Sequence, residues 1–92
     1  MTAEDHELVV AGPAARAIAE LLPEAVAMAV IEFVTGPLVE QPHRVGTPLR
    51  RELIGLHSAR RGTFRILYRI DDEERVVTVV RVDHRADVYR SR

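Results

Sequence analysis

The chain has 92 residues, enough for one compact domain and too few for two. With 47% hydrophobic and 29% charged residues it has the balance of a folded protein rather than a disordered one, and the lack of cysteine excludes disulfides and thiolate metal sites. Residues 1–7 are acidic with no apolar run behind them, and the longest apolar stretch, 25–31, is too short to span a bilayer, so a cytoplasmic location is expected.

The elements follow in chain order. Residues 7–11 read as a short first strand ended by Gly12-Pro13. Pro13 suits the first turn of a helix, where its missing N–H is harmless, and that helix runs over 14–22 with Ile18, Leu21 and Leu22 on one face. Pro23 stops it and opens a second helix, with Glu24 complementing the dipole and Val26, Val30, Phe33 and Val34 as the apolar stripe. Gly36-Pro37 ends it, with room for one further turn over 38–41. After Gly46 and Pro48 the pattern changes to strands. The second strand is expected over 53–60, then a tight turn at Arg61-Gly62-Thr63.

Residues 64–70 alternate: Phe64, Ile66, Tyr68 and Ile70 point towards the core, and Arg65, Leu67 and Arg69 point away from it. A polar turn over 71–74 leads to an apolar strand over 75–82, read as a central strand covered on both sides, and then a polar tail over 83–92. The order β-α-α-β-β-β predicts an α+β domain over 1–92: a mostly antiparallel sheet, a helical hairpin packed on one face, and an arginine-rich opposite face.

Charge is divided along the chain. Residues 1–40 hold one arginine and seven acids, whereas 41–92 hold twelve arginines and seven acids. All thirteen basic residues are arginine, so no lysine can act as a general base, and planar guanidinium groups suit phosphate oxygens. A basic face of this kind points to a polyanion. Across the predicted hairpin turn Arg60 or Arg61 comes opposite Arg65. Only one of His57 and Ser58 can share the side of Arg65. The candidate contacts to RNA are Arg44, Arg50, Arg51, His57, Ser58, Arg60, Arg61 and Arg69. A second cluster, His84, Arg85 and Tyr89, joins a group that titrates near neutrality, a permanent cation and a ring able to stack on a base. Cleavage of an RNA backbone needs such parts: a base for the 2′-hydroxyl, cations for the phosphorane and an acid for the leaving oxygen. Metal binding carries little weight, because His6, His43, His57 and His84 are scattered with no short ligand pair.

The stretches Pro42-His43-Arg44, Leu53 through Tyr68, and His84-Arg85-Ala86-Asp87-Val88-Tyr89 resemble the RelE branch of the RelE/ParE toxin superfamily. The core of the likeness is Gly-Leu followed by Arg-x-Gly-x-aromatic-Arg-hydrophobic-hydrophobic-Tyr. The resemblance implies a bacterial toxin that enters the ribosomal A site and cuts mRNA without metal or cofactor. It also implies an antitoxin that wraps the toxin, and promoter DNA bound only through that antitoxin. By the same resemblance Arg65 matches the arginine that stabilises the transition state, Tyr89 the tyrosine that orients the nucleotide, and Arg85 falls near a second catalytic arginine. The family's strand-two lysines are replaced by Leu56 and Ser58. The base role is therefore expected of His84 or His57, with His84 preferred because it shares a segment with Arg85 and Tyr89. The alternatives are a ParE-like inhibitor of DNA gyrase, or an RNA-binding relative with weak catalysis or none.

Overall fold

The computed structural model describes residues 5–84. The first strand, β1 (Glu7–Val10), leads into α1 (Gly12–Arg16), which has Pro13 in its opening turn. The helix continues as one π-helical turn (Ala17–Leu21), closed by the Leu22 N–H donating 3.0 Å to the Ala17 carbonyl. The wider turn rotates the following side chains. Ala14 and Ala17 are buried, Ile18 and Leu22 pack against the core, and Leu21, expected beside them, is 58% exposed.

Helix α2 (Glu24–Thr35) starts after Pro23 and buries Val30, Phe33 and Val34, with Val26 against the core as its spacing predicts. The turn anticipated after Gly36 is a short helix, α3 (Pro37–Glu40), which buries Leu38 and Val39. β2 (Thr47–Pro48) is a two-residue bridge, followed by a 3-10 turn (Arg51–Leu53). β3 (His57–Arg61) begins four residues later than the expected strand. Arg51 (φ 60°) and Gly55 (φ 95°) both adopt left-handed backbone, which interrupts an extended run, and Leu53 and Ile54 are left exposed. β4 (Phe64–Asp71) and β5 (Val76–His84) form the longest pairing.

The sheet order is β1-β5-β4-β3-β2, with β1 parallel to β5 and every other pair antiparallel. A parallel pair needs a crossover, and the helices between β1 and β2 supply it, covering one face of the sheet. The α+β architecture read from the sequence is therefore the observed one. The core joins that helical layer to Ala59, Phe64, Ile66, Tyr68, Val77, Val79 and Val82. Each large aliphatic side chain fully buried here contributes about 1.5–3 kcal/mol of apolar transfer.

β5 departs from expectation in two ways. It extends through Asp83 and His84, and it is covered on one face only, with a shift in alternation midway. Leu67 pairs with Arg81 while Tyr68 pairs with Val79, so Val80 is an extra residue, a β-bulge. Before it Val77 and Val79 point to the core; after it Val82 and His84 do.

Tyr68 is fully buried, and its hydroxyl donates to the Pro42 carbonyl at 2.7 Å. Burial pushes its pKa up to about 12, so it stays a donor at any working pH. Gly46 closes over this bond: a Cβ there would collide with the Tyr68 hydroxyl and lie 2.7 Å from the Ser58 carbonyl. Tyr68→Phe leaves the Pro42 carbonyl unpaired in the interior and should cost about 1–2 kcal/mol. Urea unfolding checks this, the expected result being a lower midpoint at unchanged slope.

Candidate functional site

The face of the sheet away from the helices is built from cross-strand rows. Arg60 pairs with Arg65, and Arg65 with Asp83, so one row runs across β3, β4 and β5. The next row holds Ser58, Leu67 and Arg81, and a third holds Arg69 and Thr78. Four arginines thus share this face, and all four are exposed. Arg60 and Arg65 are like charges directly opposite one another, an arrangement unfavourable by about 0.2–1 kcal/mol in an ordinary sheet. Asp83 offsets it: Arg65 Nη2 donates to Asp83 Oδ2 at 3.1 Å, and Arg81 Nε donates to Asp83 Oδ1 at 2.8 Å. Among the described residues Arg60 and Arg69 have no acid within ion-pair distance.

Arg65, Arg60, Arg69 and Ser58 are therefore brought together as strand alternation required. Arg81 was not among the expected site residues. Strict alternation from Val77 and Val79 would have turned it inward, and the bulge at Val80 turns it out. The sequence carries no distinct signal of it, because Val76-Val77 in the same strand is a like doublet that pairs in regular register.

Other expected residues lie elsewhere. His84, preferred as the base, pairs with Phe64 on the helix-covered face and is buried, so its ring is on the opposite side of the sheet from Arg65. His57 also lies on the covered side, stacked on Tyr68 with centroids 5.4 Å apart and planes at 26°. Arg61 turns the same way: its guanidinium carbon is 4.7 Å from the centre of the Phe33 ring, and it donates to the Val45 and Arg60 carbonyls. Arg61 is thus committed to holding β3 against α2. Arg44 is exposed beyond α3 and donates to the Gln41 side chain, while Arg50 and Arg51 are exposed around the 3-10 turn, outside the rows of Arg65. Arg85 and Tyr89 lie outside the described residues.

The histidines that look scattered in sequence gather in space. His6 Nε2 lies 3.2 Å from Asp72 Oδ1, and His43 Nε2 lies 2.8 Å from Asp72 Oδ2. The His43 ring meets His57 edge-on at 5.8 Å. Hydrogen bonds from His43 and His6 hold the Asp72 carboxyl below its usual range. The knot ties the start of β1 and the loop after α3 to the β4–β5 turn, and no trio of potential ligands suited to a metal ion occurs among the described residues.

The fold and its cationic face are those of the toxins of type II toxin–antitoxin systems. The family described as "ParE toxin of type II toxin-antitoxin system, parDE" matches residues 5–89, and the chain belongs to it. Within that family it is similar to Toxin RelG of Mycobacterium tuberculosis, 62% identical over 69 residues (75% of this chain, 79% of that protein). It is also similar to Toxin RelE of the same organism, 46% identical over 89 residues (95% and 91%). Among solved structures it matches a chain of the toxin–antitoxin complex RelBE2 of M. tuberculosis with a TM-score of 0.84 and 51% identity, covering 88% of this chain and 99% of that one. The archaeal RelE–RelB complex of Pyrococcus horikoshii shares the fold at a TM-score of 0.68 and 20% identity, covering 88% and 96%. The RelE-type resemblance read from the sequence therefore holds.

Burial, and then the neighbouring His43, lower the His57 pKa below 6.5, with Asp72 opposing. The folded protein then binds fewer protons here than the unfolded chain, so this contribution is complete above pH 6.5 and is lost as pH falls from 6.5 towards the lowered value. His57→Phe, which keeps a ring against Tyr68, should lose less thermal stability than wild type between about pH 7.5 and pH 5.5. Parallel melting curves would place the sensitivity elsewhere if both proteins lost the same.

Proposed function

We propose that this chain is a ribosome-dependent mRNA endoribonuclease whose activity arrests growth and whose cognate antitoxin restrains it in the cytoplasm. The observation that carries this reading is the open sheet face, where Arg60, Arg65, Arg69 and Arg81 stand on three adjacent strands with one carboxylate between them. Guanidinium forks on a rigid sheet suit a phosphodiester, and they act most strongly where charge develops, on the doubly charged phosphorane formed by 2′-hydroxyl attack. Arg65 is the group assigned to that charge. It sits mid-row with its side chain 45% exposed, so a phosphate can reach it.

An antitoxin partner is supported by the solved relatives in which RelE is held with RelB. Any contact with promoter DNA is assigned to that antitoxin. In the base role no imidazole of the described residues faces Arg65, and charge stabilisation carries the catalytic burden assigned to residues 5–84.

Primer extension on mRNA with purified ribosomes tests the reading. New ends within codons are expected from wild type. Arg65→Ala should remain folded, because its side chain leaves no hole in the core, yet reduce cutting at least 100-fold, in the range of losing one oxyanion-stabilising donor. Because the family carries the ParE name, supercoiling by gyrase belongs in the same experiment. Inhibited supercoiling without RNA cuts would replace the nuclease reading.

A further inference from the structure

Asp83 is the one acid in the rows of the cationic face that contain Arg65 and Arg81, and each of its oxygens takes a different guanidinium. The two donors come from adjacent strands, and the bulge at Val80 is what puts Arg81 on this side. A carboxylate held this way offers two oxygens to two forks, as a phosphodiester offers its two non-bridging oxygens. We propose that Arg65 and Arg81 form a clamp for one phosphate of a single-stranded RNA, and that Asp83 occupies the clamp until the phosphate displaces it.

The inference rests on the nuclease reading for its substrate and adds to it a second arm and a resident competitor. Holding long arginine side chains in place costs rotamer freedom. With Asp83 present, part of that ordering precedes substrate binding, which is the usual benefit of preorganisation. The same carboxylate repels an incoming phosphate and must surrender both hydrogen bonds. Its side chain is 24% exposed, against 45% for Arg65 and 67% for Arg81, so the anion lies at the base of the clamp and the cations form its rim. A phosphate therefore meets both guanidinium groups from the solvent side, and the exchange breaks the two hydrogen bonds to Asp83 at the base.

The test uses the whole chain and a 2′-O-methyl trinucleotide that cannot be cleaved. Arginine Nε–H resonances are followed during titration, and wild-type cutting of ribosome-bound mRNA is measured alongside. The Arg81 Nε–H signal should move as the trinucleotide saturates. Asp83→Asn, nearly isosteric, should bind it about three- to ten-fold more tightly by removing a competing charge, and Arg81→Gln should weaken binding by a similar factor. The salt dependence of binding should also fall by about one phosphate contact in Arg81→Gln. An Arg81 signal that stays still at saturation, or an Asp83→Asn protein that binds no more tightly, overturns the clamp. Should Asp83→Asn fail to fold, the Arg81 resonance and the Arg81→Gln affinity decide alone. If wild type cuts mRNA but the clamp fails, the nuclease reading stands without it; if the clamp behaves as expected and nothing is cut, it is the nuclease reading that falls.

Discussion

The extra residue at Val80 sets the sidedness on which the candidate site depends. A strand places successive side chains on opposite faces, so one inserted residue exchanges the faces for everything that follows. Without the bulge, Arg81 and Asp83 would point into the helical layer and His84 would point at Arg65. With it, Val82 and His84 complete the covered side, while Arg81 and Asp83 join Arg65 on the open one. A buried arginine in place of Val82 would be costly without a partner, so the energetics of the core and the assembly of the cationic face select the same register.

The crossover explains why only one face is available. β1 must run parallel to β5, and the chain between β1 and β2 passes over one side of the sheet to return on the far edge. Phe33, Val30 and Leu38 seal that side. The hairpins β3–β4 and β4–β5 need no such cover, and their other face stays open for charge. Arg61 shows how finely the division is drawn: next to Arg60 in sequence, it lies on the opposite side, over the Phe33 ring.

Much of this could be read from residue pattern because the physics is local. The alternation Phe64, Ile66, Tyr68 against Arg65, Leu67, Arg69 appears in the structure as written, since a half-covered strand has little freedom to do otherwise. The α2 stripe is legible for the same reason. The late start of β3 was hidden because Leu53 and Ile54 are apolar yet exposed, and nothing in their identity reveals the left-handed backbone at Arg51 and Gly55. Convergence of His6, His43 and His57 near Asp72 was illegible for a different reason: it depends on four separate segments meeting, which spacing along the chain does not encode. His84 was misplaced by counting it as tail when it is the last residue of β5.

The absence of lysine makes the open face a particular kind of surface. A lysine-based site could lend both charge and, once desolvated, a base; an arginine-based one supplies charge and shape only. Every cation on this face is therefore a fixed charge across the working pH range, and its strength is set by geometry and by Asp83. The imidazoles of His57 and His84 lie on the helix-covered side of the sheet, His57 stacked on Tyr68 and His84 across from Phe64. These imidazoles and the guanidinium groups of the open face are thus separated by the thickness of a single β-layer. On this face residues 5–84 present fixed positive charge, held in place by strand register and by one carboxylate.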